Sequence, residues 1–258
     1  MDAVSSGVHI AFYRFVRIDD VAAFCDRLRE LTDGLLGTVL VAEEGVNGML
    51  AAPQGQIDAF ISAAAEDETL GRAFDGITYK RTAYDRIPFS RMMVKAKKEI
   101  VPLGIDGLDM PARVDDVAAT DVPPSEWRDL IQRDDVVVLD NRNSFEFEVG
   151  RFRGAVDPRV VNFRDFREYV EQHAPQWRDE GKQVAMYCTG GIRCEKASPW
   201  MQDLGLKVHQ LQGGILNYFK EIPDADADFE GECFVFDNRV TLDTKLQDVG
   251  RDRGEIDG

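Results

Sequence analysis

A chain of 258 residues in which 44% of the side chains are apolar has the material for one large or two modest hydrophobic cores, which excludes a disordered protein. Its 47 acids outweigh 31 Lys and Arg, a net charge of −16, so any nucleic-acid partner must be met by a local basic patch against an adverse overall field. Three histidines without HxxxH or HxD/E spacing, and four cysteines at 25, 188, 194 and 233 without a CxxC pair, exclude a disulfide scaffold and the common sequence-visible metal sites.

The first apolar run, VHIAFYRFVRIDD, is interrupted by Arg14 and lacks a basic leader, so neither a signal peptide nor a membrane span is expected, and the cytoplasm is the expected compartment. It reads as a strand. DDVAAFCDRLRELTDG follows as a helix with a capping Asp at its start and Gly34 at its end, and GTVLVAEEGVNGMLAA as two strands around a turn. QIDAFISAAAED is a second helix and ITYKRTAYD a closing strand, so the order β-α-β-β-α-β predicts a ferredoxin-like module. Cys25 falls on the apolar stripe of the first helix with Val21, Phe24 and Leu28, where a thiol packs as a small hydrophobe.

Between Tyr79 and Lys98 stand seven basic residues, Lys80, Arg81, Arg86, Arg91, Lys95, Lys97 and Lys98, against the single acid Asp85. Tyr79, Tyr84 and Phe89 are interleaved with them. Basic groups contact phosphates and rings stack on unpaired bases, so the stretch is a candidate RNA-binding segment; the plain alternative is a solvated strand face. The Pro-containing segment after it, through Pro111, Pro123 and Pro124, reads as a linker, with Ser125 as N-cap of the helix EWRDLIQ.

From there strands and helices alternate. VVVLD is a strand buried on both faces, a helix lies near Phe163 to His173, KQVAMYC is a strand, a helix begins at about Arg193, and KVHQLQ is a further strand before a Gly-Gly turn. This pattern predicts a parallel sheet with ligand chemistry at the strand C-termini, where Cys188 sits. The loop Cys188, Thr189, Gly190, Gly191, Ile192, Arg193 has Cys-x4-Arg spacing. Its glycines permit a close backbone approach, and inward amides, a helix N-terminus and the Arg193 charge favour a thiolate. A phosphatase loop would be one residue longer; the shorter cradle fits a sulfur. Cys194 either fills and caps the first helical turn or acts as a resolving thiol. Asp140 and Arg142 are read as braces for the loop, Lys196 as a surface residue, and Cys233 as a packed thiol.

The stretches LDNRNSFEFEVGRFRGAVDP and YCTGGIRCEKASPWMQDLGLKVHQLQGGILNYF resemble a rhodanese domain, in the strand-end Asp-x-Arg, the Gly-x-x-x-Gly-Ala entry, the Cys-x4-Arg loop and the closing Leu-x-Gly-Gly. With EEGVNG, RMMVKAKKEIV and GECFVFDNRV, nearly the whole chain resembles the bacterial rhodanese-containing tRNA uridine hydroxylases. Longer members of that family continue into a further cysteine-bearing segment, whereas this sequence stops soon after GECFVFDNRV.

The resemblance implies an α/β protein with a ferredoxin-like α+β domain over 1–95, a linker over 96–122 preceded by the basic segment, a rhodanese domain over 123–222, and a C-terminal strand and acidic tail over 223–258. It also implies oxygen-dependent conversion of the wobble uridine of tRNA, in the anticodon region, to 5-hydroxyuridine. Molecular oxygen is then the co-substrate, and addition of Cys188 to C6 of the base is a reasonable role for the thiolate. No facial His/His/carboxylate set and no nucleotide fingerprint is found, so no bound cofactor is expected. A persulfide-forming sulfurtransferase acting without RNA is the competing reading. A noncatalytic rhodanese is disfavoured by the presence of Cys188.

Overall fold

The structure, a computed structural model, describes residues 7–118, 120–252 and 254. The end of the expected acidic tail, 255–258, lies outside the described residues. The chain divides into two compact units, Met1–Val101 with Asp109–Ala112, and Pro102–Leu108 with Arg113–Gly258.

The first unit runs β1 (Gly7–Phe15), α1 (Val21–Leu31), β2 (Leu36–Ala42), β3 (Gly45–Ala52), α2 (Gln54–Glu66), a short α3 (Gly71–Phe74), β4 (Lys80–Tyr84) and β5 (Met92–Ala96). Helix α1 starts because the Asp20 side chain accepts the Ala23 amide at 2.9 Å, and it stays because Phe24, Cys25 and Leu28 bury one stripe of it. The sheet order is β4-β1-β3-β2-β5. Its first four strands are the expected ferredoxin-like module; β5 is an addition, parallel to β2. The segment MMVKA has neither apolar alternation nor burial to announce a strand, and it forms by pairing with an edge already built.

The second unit contains α4 (Val114–Ala118), β6 (Asp121–Val122), α5 (Pro124–Ile131), β7 (Val136–Asp140), α6 (Ser144–Val149), β8 (Gly150–Phe152), α7 (Phe166–Asp179), β9 (Gln183–Tyr187), α8 (Ile192–Asp203), β10 (Lys207–Leu211), α9 (Gly214–Glu221), β11 (Phe229–Gly231), β12 (Cys233–Phe234) and β13 (Thr241–Leu242). Strands β6-β10-β9-β7 form one parallel sheet, with β9 inside it. Part of the stretch read as a linker therefore has regular structure: α4, and β6 as the sheet's edge strand. Its core is aromatic, with Phe152 packed edge-on against Trp127, Tyr187, Tyr218 and Phe229.

Two local expectations change. Ser125 lies inside α5, because Pro123 is the N-cap and Pro124 takes the first helical position, where its fixed φ is already right and its missing N–H is not needed. The helix expected to end near His173 continues to Asp179 through Pro175, since the stripe Phe166, Val170, Ala174 and Trp177 stays buried across the proline. Among the described residues, no helix is long and apolar enough to cross a membrane.

Candidate active site

Cys188 follows the last residue of β9, so an interior strand of the parallel sheet delivers the sulfur to the sheet's C-terminal edge. The loop then turns back over it. Gly191, at φ 101°, is in the left-handed region that favours glycine, and its amide donates to Cys188 Sγ at 3.1 Å. Helix α8 starts at the next residue. Burial alone would push the Cys188 thiol up. The hydrogen bond from the Cys194 thiol, the Arg193 charge and the amides of Cys194 and Arg193 outweigh that and bring it down to about 6. The balance favours the thiolate over the thiol at neutral pH.

The loop rests on the start of α9. Ile215 and Leu216 donate their amides to the carbonyls of Cys188 and Thr189 at 3.0 and 3.2 Å. This contact explains the Gly-Gly turn: Gly214 has φ 70°, and a Cβ there would stand 2.5 Å from the Cys188 carbonyl oxygen. Asp140 and Arg142 pair with each other at the end of β7, the strand beside β9. Both are fully buried, and Arg142 closes on Asp140 through Nε at 2.9 Å and Nη2 at 2.7 Å, while Nη2 also donates to the Gly150 carbonyl. Between them Asn141 donates through its side chain to Met186 Sδ at 3.1 Å and to Cys194 Sγ at 3.6 Å, tying the preceding strand end to the loop.

Arg193 is fixed by a residue that the sequence reading missed. Its Nη1 donates to Glu146 Oε2 at 2.8 Å, and Glu146 is fully buried. The signal was present in Asn143-Ser144-Phe145-Glu146, a capping box at the start of α6. On its other side the guanidinium lies over Phe236, 5.5 Å from the ring centroid.

Thr189, Gly190 and Ile192 are half-buried. Cys194 is fully buried, and its thiol is pushed well above the ordinary value, first by burial and then by its bond to Cys188. Cys233 is packed in the aromatic core, yet Thr189 and Arg142 are near it; burial pushes its thiol up to about 12. Cys25 lies in the other core, its thiol raised by burial. Lys196 is not a surface residue: at 2% exposure it belongs to a face of α8 buried with Cys194, Ala197 and Ser198, because this helix is covered on more than one side. Among the described residues, no group of three His, Cys, Asp or Glu is placed to hold a metal ion.

The basic residues stand in the first unit and do not form one patch. Lys80 and Arg81 lie on β4 and Lys95 on β5, at opposite edges of the sheet, with Lys97 and Lys98 just beyond β5. Four strand spacings separate those edges, about 19 Å. Lys80 sits over the Tyr13 ring and Arg81 pairs with Asp58 at 2.8 Å, whereas Arg91, Lys95, Lys97 and Lys98 are exposed and Arg86 is half-buried. The interleaved rings are also committed: Tyr84 is buried, Tyr79 packs on the core and Phe89 stacks on His9.

A parallel sheet whose interior strand delivers a thiolate into a Cys-x4-Arg loop defines a rhodanese domain, and residues 123–221 match the rhodanese-like domain model. Residues 7–100 match the UPF0176 acylphosphatase like domain. The chain is 38% identical over 244 residues to a tRNA uridine(34) hydroxylase of Legionella pneumophila (strain Corby), covering 93% of this chain and 91% of that protein. It is 40% identical over 243 residues to the tRNA uridine(34) hydroxylase of Acinetobacter baumannii (strain AYE), covering 93% and 74%. The chain belongs to the tRNA uridine(34) hydroxylase family.

Proposed function

We propose that the chain converts the wobble uridine in the anticodon region of tRNA to 5-hydroxyuridine, with Cys188 as the attacking thiolate and molecular oxygen as co-substrate. One observation carries the reading: in a member of a tRNA-modifying family, the sulfur of Cys188 stands at the C-terminal end of an interior strand, accepts the Gly191 amide at 3.1 Å and has Arg193 at the start of the following helix. Addition of that sulfur to C6 of uracil opens the C5–C6 double bond and puts the electron pair on C5, the carbon to be oxidised. One oxygen atom enters at C5 and the other leaves as water, with two electrons and two protons drawn from a thiol reductant. Loss of the C5 proton and of the sulfur then restores the double bond, and the Arg193 charge favours the departing thiolate.

Exposed Arg91, Lys95, Lys97 and Lys98 supply phosphate contacts from the β5 edge, and Lys80, Arg81 and Arg86 are secondary candidates. Four free thiols suit the reducing cytoplasm. Nucleoside mass spectrometry of tRNA from cells lacking the gene tests the reading. A plasmid copy of the parent restores 5-hydroxyuridine derivatives and Cys188→Ser does not; restoration by the serine variant overturns the role of the thiolate. The short loop also favours a second reading, a persulfide-forming sulfurtransferase, which thiosulfate turnover combined with unchanged tRNA would select.

A further inference from the structure

The segment Cys233-Phe234-Val235-Phe236 is apolar throughout, but its last residue is not used by the core. Cys233, Phe234 and Val235 are buried, whereas Phe236 is 43% exposed. Among the described residues it is the one aromatic side chain in the set of exposed large hydrophobics, the others being Ile and Val. Scattered exposed aliphatics are ordinary, but an exposed phenyl ring beside a nucleophile loop calls for a reason.

The ring is held rather than loose. Phe234 meets it edge-on at 5.0 Å between centroids, and Phe234 is itself set edge-on against Phe145 at 4.9 Å. The turn that carries it is closed by the Val235 amide on the Val240 carbonyl at 2.8 Å. Within that turn Arg239 closes on Asp237, its Nη2 to Oδ2 at 2.6 Å, and both side chains are buried. The tripeptide Asp237-Asn238-Arg239 thus repeats the sequence and the bonding of Asp140-Asn141-Arg142. The first pair ties the end of β7 to the Gly150 carbonyl, and the second closes the turn that follows Phe236.

The ring also has a defined neighbour. Arg193, whose charge and amide act on Cys188, lies over Phe236 at 5.5 Å. One residue therefore links the exposed ring to the reactive sulfur. Aromatic rings and guanidinium planes are the surfaces on which splayed-out bases of single-stranded RNA stack, and a ring already fixed in place loses little freedom when a base arrives.

We infer that Phe236 is a stacking platform for an unpaired base of the RNA substrate, presented beside Arg193 of the Cys188 loop. This rests on the reading of the chain as a tRNA hydroxylase and names the residue that positions the base. The platform discriminates for a flat π-surface and leaves sequence choice to other contacts.

The test uses full-length Phe236→Ala, Phe236→Leu and Phe236→Trp with a fluorescently labelled anticodon stem-loop RNA. Alanine and leucine should each weaken binding about tenfold, while tryptophan binds at least as well as the parent. The new indole should lose emission as RNA is added, read as the difference from the parent, whose Trp127, Trp177 and Trp200 are buried. Cys188 alkylation at about pH 6 and the melting temperature are followed in each variant to show that the loop is intact. Leucine binding as tightly as the parent would reduce the ring to apolar cover, and an unquenched Phe236→Trp would place the base elsewhere; either overturns the inference. A parent that hydroxylates tRNA, with an alanine variant equally active, overturns the platform alone. A parent that neither binds nor hydroxylates tRNA overturns the tRNA reading and the platform with it.

Discussion

Glu146 holds Arg193 with the same carboxylate oxygen that closes its own helix: Oε2 accepts Arg193 Nη1 at 2.8 Å and the Asn143 amide at 3.1 Å. The start of α6 and the charge beside the thiolate therefore depend on one buried group. Glu146→Gln leaves a largely buried guanidinium without its counter-ion, and we expect a loss of about 2–4 kcal/mol in urea unfolding. An unchanged midpoint would mean that the pair contributes no stability.

The pH dependence of Cys188 follows from its thiol being lowered from 9.0 to about 6. Alkylation should rise through a midpoint near that value, well ahead of Cys25, Cys194 and Cys233. Stability has a defined sign as well. A lowered folded-state value stabilises the fold fully above the unfolded thiol value, and the contribution is lost as pH falls through about 6. The stability advantage of the parent over Cys188→Ser should therefore shrink between about pH 9 and about pH 6; a difference that stays flat over that window would contradict the thiolate.

Cys194 is a donor to the thiolate, so its replacement separates donation from packing. Cys194→Ser keeps a hydroxyl that can donate and should leave the alkylation midpoint of Cys188 near the parent's, whereas Cys194→Ala should raise it by about one unit. Equal midpoints in the two variants would show that the hydrogen bond has no influence on the thiolate.

The split of the basic residues predicts unequal effects. Reversing Lys95, Lys97 and Lys98 to Glu should weaken tRNA binding at least about tenfold at moderate salt and flatten its salt dependence, with Cys188 alkylation retained. Reversing Lys80 and Arg81 on the far edge should do less, because Arg81 is already paired with Asp58. Fluorescence anisotropy over a salt series decides it: a triple variant with the parent's slope would remove the β5 edge from the interface.

What was legible in the sequence was what lies close together along it. Cys188, Gly191 and Arg193 could be placed together because one turn and one helix start contain them, and the four-strand module could be read because its elements pair in the order of a known motif. Glu146 and Phe236 reach Arg193 from 47 and 43 residues away, and only packing brings them there. The opposite error arose from the basic run. Its members are neighbours along the chain but distant in space, because β4 and β5 join opposite edges of one sheet, so Arg81 and Lys95 look adjacent in a string and stand apart in the fold. Lys196 failed for a related reason: its charge suggests solvent, but α8 is covered on more than one side.

The amides of Ile215 and Leu216 donate to the carbonyls of the nucleophile loop instead of to a turn of their own helix. Their exchange with deuterated solvent is therefore a clock for the opening of that loop, independent of any reagent that touches the sulfur. Slow exchange at these two positions, quickening when Gly214 is replaced, would let an experimenter watch the cradle loosen before a single thiol had reacted.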